Sequence, residues 1–400
     1  MEKKEYITFS ELYDAYVDCR KRKRTTYNAQ CFEINETKNL MTLYKELNSM
    51  TYEIDYSICF CVEKPVKREV FAADFRDRIV HHYLINKILP ILEEEFIDDS
   101  YSCRKGKGSD YGIRQCYKYM VEASDNFTKD CYLLKYDLKS FFMTIDKSRL
   151  CQKLKDFLDE KYTFKDDGER KFLFYLLEKI VLHEPQNKCH RKQPKENWNN
   201  LPKEKSLFNC EKGFGLPIGN LTSQIFANFY LSEFDHYVKE ELGCKYYGRY
   251  VDDFYIIIDD LVRKKKLEEA ICIKLRKMGV TLHPNKRYCQ HISKGIPFIG
   301  AFIKPNRTYI ANRTKGNLYW KMVLIENSLS YMSEKCKKDL NYINHCVASI
   351  NSYLGFLKHY RTYNIKKKIL LNKDLKEIFK YAYFDKKLNK LTLFKEFKLV

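Results

Sequence analysis

Two adjacent carboxylates, Asp252 and Asp253, stand between two strand-like runs, Cys244 to Tyr250 and Phe254 to Ile258, in the order Tyr250-Val251-Asp252-Asp253. The pattern reads as a hairpin presenting both acids at its turn. Like charges held together and partly desolvated repel, and a divalent cation is the usual neutraliser. A third acid strengthens the case for a metal site: Leu133 to Leu138 reads as a strand with Asp137 near its exit, followed by Lys139-Ser140-Phe141-Phe142. Three such carboxylates suit two Mg²⁺ ions about 3.5 to 4 Å apart, the clamp used on attacking and leaving oxygens in nucleotidyl transfer. Taken alone, the Asp pair fits an ordinary turn equally well, because Asp is common there.

Two further segments have the chemistry of a nucleotide site. Cys103-Arg104-Lys105-Gly106-Lys107-Gly108 crowds three cations around two glycines, a loop that can cradle a triphosphate and equally reads as a surface turn. Gly215-Leu216-Pro217-Ile218-Gly219-Asn220-Leu221-Thr222-Ser223-Gln224 reads as a turn into a helix. Thr222 or Ser223 would be its N-cap, and Ile225, Phe226, Phe229, Phe234 and Val238 its apolar face. Its glycines allow close approach of a ligand, and its N-terminus favours an anion.

The elements that must position these residues follow from periodicity. Residues 8–50 are patterned as helix, interrupted by Lys21-Arg22-Lys23-Arg24, a solvated helix end or a phosphate contact. Thr51 to Val62 is strand-like; Lys64 to Arg78 alternates in charge and leads into a helical stretch, Ile79 to Phe96. Helix-period apolars recur over 149–182. From His183 to Gly213 the chain turns polar, with Pro185, Pro194 and Pro202 and one buried-type anchor, Trp198. This reads as a long loop or insertion, a kind of segment that tends to be functional. A helix is expected over 262–278, then Leu282-His283-Pro284-Asn285-Lys286, then a short hairpin around Ile296 to Gly300. Beyond Arg313 the chain is Lys-rich and patterned as a separate basic helical subdomain.

Composition points to a polyanionic partner. In 400 residues, 73 Lys and Arg oppose 53 Asp and Glu, a net charge of +20, and 32 Tyr with 26 Phe add rings that stack on bases. No apolar run approaches the roughly 18 residues of a membrane span, and the N-terminus lacks a secretory signal, so no membrane role and a cytoplasmic location are expected. The 15 cysteines are scattered without Cys-x-x-Cys spacing, as small buried hydrophobes in a reducing compartment would be. His183, Cys189, His190 and Cys210 share one stretch but match no closed zinc pattern, and zinc is not expected.

In order, a basic Arg-x-Gly-x-Gly loop, the strand bearing Asp137 with its Phe pair, a Gly-x-x-x-Gly turn into a helix, the Tyr-x-Asp-Asp hairpin and Lys286 resemble the fingers and palm of reverse transcriptases. The resemblance covers Phe9 to Ile303, with the tail similar to a thumb. Within that family the turn at 215–224, with Val70 to His82, Trp198 to Phe208 and Ser352 to His359, looks like the enzymes of diversity-generating retroelements. The resemblance implies an α/β (α+β) right-hand polymerase: fingers and N-terminal region over 1–130, palm with inserted fingers segment over 131–310, basic helical thumb over 311–400. It implies two Mg²⁺ on Asp137, Asp252, Asp253 and the carbonyl of Leu138. Phe142 would lie under the incoming sugar and reject a 2′-hydroxyl, with Phe141 as the core neighbour. Arg104 and Lys107 would meet the triphosphate. Lys286 would protonate or position the pyrophosphate, or be a solvated helix-end lysine. Gln224 would contact nucleotide or template, or hold its own helix start.

Many enzymes of this class carry Gln where Ile218 stands, and a hydrocarbon offers contact without a hydrogen bond worth about 0.5 to 1.5 kcal/mol, so low fidelity is expected. The implied partners are template RNA and its cDNA, dNTPs and a small basic accessory protein. Two rival expectations are an antiviral-defence reverse transcriptase and a non-catalytic RNA-binding protein with a polymerase fold.

Overall fold

The computed structural model describes residues 5–21, 23–24, 26–63, 66–334 and 339–397; Arg22, Lys64 and Pro65 of the charged segments lie outside them. The chain begins with α1 (Phe9–Arg20), α2 (Tyr27–Ile34), α3 (Glu36–Asn48), β1 (Ser57–Val62), β2 (Arg68–Ala73), α4 (Phe75–Glu95) and α5 (Ser109–Ala123). It continues through β3 (Tyr132–Leu138), α6 (Phe141–Thr144), α7 (Lys147–Lys161), α8 (Asp167–Val181), β4 (Cys189–Arg191) and α9 (Leu221–His236). Next come β5 (Tyr247–Tyr250), β6 (Asp253–Ile258), α10 (Val262–Lys277), β7 (Leu282–His291), β8 (Ile296–Phe298), β9 (Ala301–Lys304) and β10 (Arg307–Ile310). It ends in α11 (Asn312–Glu334), α12 (Leu340–Leu357), α13 (Tyr363–Leu370), β11 (Ala382–Phe384) and β12 (Leu391–Leu393).

Contacts divide the chain into two units, 1–108 with 135–256 and 261–288, and 109–134 with 257–260 and 289–400. The division cuts across the sequence boundaries at 130 and 310.

The first unit starts from local signals. Thr8 and Glu11 form a reciprocal capping box on α1, which buries Leu12, Ala15, Tyr16 and Cys19. The helix expected from Ile79 starts earlier, at Phe75, because the Asp74 side chain accepts from the Arg76 N–H as N-cap. Strands β2, β1 and β4 form one sheet in that order, with β1 antiparallel to β2 and parallel to β4. Along β2 the residues facing inward are Glu69, Phe71 and Ala73. The 183–213 segment is therefore not a bare loop: it supplies β4 and three short 3₁₀ turns, at Lys195–Trp198, Lys203–Lys205 and Leu207–Asn209. The second sheet has the order β5-β6-β3-β7. Its central strands read as buried runs, Leu133-Leu134 and Tyr136 in β3 and Phe254 to Ile258 in β6, as strands covered on both faces should. Helix α9 is buried nearly all round. Its N-cap is Asn220, not Thr222 or Ser223, and the Asn220 side chain accepts from the Ala73 N–H instead of its own helix.

The second unit combines α5, the antiparallel sheet β10-β9-β8 and helices α11 to α13; Leu318, Met322 and Ile325 of α11 form a core with Ile343, Ile350 and Leu354 of α12 and Leu370 of α13. The region expected to be helical from Arg313 also contains the β11/β12 hairpin, which Asn351 ties to α12 by bonds to both the N–H and the carbonyl of Leu391. No helix among the described residues is long and apolar enough to cross a membrane.

Candidate active site

Strands β5 and β6 pair from Tyr247↔Ile256 to Tyr250↔Asp253, so Val251 and Asp252 form a two-residue turn. Val251 has φ +58°, a left-handed conformation that costs a β-branched residue on the order of 1–3 kcal/mol and must be imposed from outside. Its N–H donates to Ser102 Oγ (3.2 Å) and its carbonyl accepts from Arg249 Nη1 (3.0 Å). The Arg249 guanidinium is wholly buried against the equally buried Asp235, with Nε–Oδ1 at 2.7 Å and Nη2–Oδ2 at 2.5 Å. It also donates to Asn228 Oδ1 and Ser100 Oγ. Gly248 completes the packing, since a Cβ there would lie 2.4 Å from Tyr101 Oη and 2.7 Å from Tyr255 Oη. A buried ion pair thus dictates the direction of the acidic turn.

The end of β3 joins the same corner, because the Leu138 N–H donates to the Asp252 carbonyl (3.0 Å). Burial pushes the Asp252 carboxyl up to about 6, and the charges of Asp137 and Asp253 add to the rise. Burial also raises Asp253, against the pull of Lys135 at 2.9 Å. Lys286 Nζ lies 2.9 Å from both oxygens of Asp137. It projects from β7 rather than a helix end. Among the described residues no three Asp, Glu, His or Cys side chains close into a ready cage; Asp137 and Asp253 are each turned onto a lysine. The donor set still fits hard divalent cations, being carboxylate oxygens whose mutual repulsion is already expressed in Asp252.

The nucleotide residues divide. Phe141 is buried while Phe142 is half-buried beside it, rings 5.7 Å apart. Ile218 is half-buried, its carbonyl held by the Phe71 N–H at 2.8 Å. Gln224 is exposed, and its Oε1 accepts from the Cys103 thiol at 3.2 Å. Arg104 does not present itself to a ligand: Nε meets Glu93 Oε2 (2.7 Å), Nη1 the carbonyls of Ile97 and Ser100, and Nη2 the carbonyl of Glu93. Lys107 is likewise bound to Asp98, through the carbonyl at 2.5 Å and Oδ1 at 3.0 Å. The physical reason is that the carbonyls of Ile97, Asp98 and Ser100 face the loop and take the nearest donors.

Sequence reasoning missed Arg68. It is exposed at the head of β2, its charge lowers both Asp252 and Tyr250, and no ion pair among the described residues holds it. The available signal was weak, a charged pair Arg68-Glu69 running into the apolar Val70-Phe71, with no period-2 alternation to mark the strand. The zinc-type residues have separate surroundings: Cys189 Sγ lies 3.6 Å from Cys59 Sγ, and Cys210 Sγ 3.5 Å from Met143 sulfur.

A family model described as reverse transcriptase (RNA-dependent DNA polymerase) matches residues 67–303, more than half of the chain. No curated protein matches the sequence. Among solved structures, the chain is similar to apo telomerase from Candida tropicalis, with a TM-score of 0.46 and 13% identity over 79% of this chain and 58% of that one. It is similar also to telomerase from Candida albicans in complex with a TWJ fragment of telomeric RNA, with a TM-score of 0.44 and 12% identity over 80% of this chain and 59% of that one. It spans less than two-thirds of the length of those telomerase chains.

Proposed function

The chain belongs to the reverse transcriptase (RNA-dependent DNA polymerase) family, whose chemistry is RNA-directed nucleotidyl transfer on a right-hand fold, and we propose that it copies a structured template RNA into error-prone cDNA as part of a diversity-generating retroelement. One observation carries the catalytic part of this reading: the Leu138 N–H bond to the Asp252 carbonyl (3.0 Å) brings the end of β3, with Asp137, to the turn that bears Asp252 and Asp253. Two Mg²⁺ held by these acids and the Leu138 carbonyl would supply Lewis-acid stabilisation of the α-phosphate and an acidified primer hydroxyl.

The chain's own residues do the rest. The Arg249–Asp235 pair keeps the acidic turn aimed, so the site need not reorganise as charge develops. Arg68 neutralises triphosphate oxygens, a role that the resemblance implies for Arg104 and Lys107. Phe142 shuts out a 2′-hydroxyl by contact. Lys286, already on Asp137, stands where a proton can be handed to the leaving pyrophosphate. Ile218 gives the nascent pair contact without a hydrogen bond, and Gln224 adds a polar group beside the Cys103 loop. The net charge of +20 serves the RNA and cDNA backbones. A small basic accessory protein completes the proposed assembly.

Primer extension on an RNA template tests the reading. Mg²⁺-dependent extension is expected of the purified protein and none of Asp252→Ala; RNA binding without extension by the unaltered chain overturns it. Misincorporation tests the subtype, with Ile218→Gln expected to lower the error rate several-fold.

A further inference from the structure

We propose that Glu69 is a positioning residue for nucleotide selection: it fastens the 183–213 insert to β2, and the fastened insert backs the segments that carry Ile218 and Phe142. The inference rests on the reading of those two residues as nucleotide contacts.

Glu69 is 2% exposed on the inner face of β2. Its carboxylate accepts three hydrogen bonds, from Trp198 Nε1 (2.7 Å), Ser206 Oγ (2.8 Å) and the Leu207 N–H (2.6 Å), all from the insert. Among the described residues no ion pair neutralises it. An apolar side chain would hold the insert by contact and leave it free to slide. A buried carboxylate satisfied by neutral donors fixes direction, because displacing any donor leaves the charge underserved.

Two short chains of contact run from this anchor to the pocket. On one side, Phe71, two residues along β2, donates its N–H to the Ile218 carbonyl at 2.8 Å. The Ile218-Gly219 turn lies flush on the strand, for a Cβ on Gly219 would come 2.8 Å from Val70 Cγ1 and 2.9 Å from the Phe71 carbonyl oxygen. On the other side, Leu207 closes against Gly215, where a Cβ would be 2.7 Å from Leu207 Cδ1. Gly215 N–H then donates to the Ile145 carbonyl (2.9 Å) and Leu216 N–H to the Phe142 carbonyl (2.8 Å). Phe71 and Leu207 belong to one small core with Cys59, against which Trp198, Phe208, Cys210 and Met143 pack. The insert thus backs the segments that carry Ile218 and Phe142, and Glu69 sets its register.

The test is single-nucleotide incorporation by the full chain on an RNA template, reading kcat and KM for the matched dNTP, the matched rNTP and a mismatched dNTP, with melting temperature alongside. Glu69→Gln replaces one acceptor oxygen with a donor. It is expected to raise KM for the matched dNTP about tenfold and to narrow discrimination against the rNTP by a similar factor, with kcat within about threefold. Trp198→Phe keeps a ring and loses one donor, and should act about threefold in the same direction. Combined with Ile218→Gln, the effect of Glu69→Gln on misincorporation should fall short of the product of the single effects, because both act through one turn.

Unchanged KM and selectivity with a lowered melting temperature, or fully multiplicative effects, would overturn the proposal. If Glu69→Gln fails to fold, Trp198→Phe carries the same test. If Ile218→Gln and Phe142→Ala themselves leave selectivity unmoved, the pocket reading falls and this inference with it. If they shift it while Glu69→Gln and Trp198→Phe do not, the role of Glu69 alone falls.

Discussion

Two inward-turned arginines in the first unit have every guanidinium nitrogen engaged, yet they organise different things. Arg249 is matched to a carboxylate as deeply buried as itself and gives one of its further bonds to the Val251 carbonyl, at the acidic turn. Arg104 pairs with a partly exposed Glu93 and collects the carbonyls of its own loop, with Phe96 beneath it at 5.4 Å. The first orders a site; the second orders a loop. The difference teaches that a cation near a nucleotide motif is judged by what occupies its donors. By that measure the exposed Arg68 outranks both as a ligand for phosphate.

Removing Arg249 should show the largest effect. Arg249→Met strands Asp235 in the interior, so a loss of about 3–5 kcal/mol is expected by thermal or urea unfolding, with extension falling well over 100-fold. Near-normal activity at reduced stability would erase the distinction between the two arginines. Arg104→Ala should cost about 1.5–3 kcal/mol of stability and leave the dNTP KM within twofold.

An acid-stability comparison comes next. Burial, with His183, His82 and Arg78 adding repulsion, holds the His81 imidazole down at about 3, and it is bonded to Thr222 Oγ1 at 3.2 Å near the start of α9. The folded state keeps His81 neutral while the unfolded chain protonates it below about 6.5. Stability is therefore present above that pH and is lost as pH falls, by about 2 kcal/mol at pH 5. Unfolding at pH 7 and pH 5 should show a smaller difference for His81→Gln than for the unaltered chain; an equal difference would discharge His81 from this role.

The smallest effect sharpens the comparison most. Arg68→Ala should raise the dNTP KM about tenfold, or about 1.4 kcal/mol, with no change in melting temperature. Were Arg104→Ala to raise KM and Arg68→Ala to leave it alone, the assignment would reverse.

Much of the frame is legible from periodicity. Helices over 8–50 and 149–182, the strand ending in Asp137 and the acidic hairpin all show regular apolar spacing, and the structure has helices and strands there. What escaped did so for local reasons. Strand β2 hides a carboxylate on its buried face, so Glu69 breaks the alternation that marks a strand. Strand β4 is three residues, Cys-His-Arg, too short to carry a period. Lys286 sits in β7 two residues after Pro284, a residue that argues against a strand interior. The N-cap Asn220 turns its side chain to the Ala73 N–H of β2, a contact distant in sequence that no local pattern shows. The loop pattern and the family resemblance that point to Arg104 and Lys107 say nothing about the carbonyls that surround them.

The hydrogen bonds of Val251 bear on how the proposed polymerase activity would be lost. Its amide and carbonyl are secured by Ser102, from the segment after α4, and by Arg249, whose own partners come from α9 and that same segment. A slight local opening at any of these would release the bend and silence synthesis while nearly all of the protein stayed folded. Amide exchange at Val251 should therefore be as slow as that of the most protected β6 residues, and conditions that quicken it there first should extinguish polymerisation ahead of global melting.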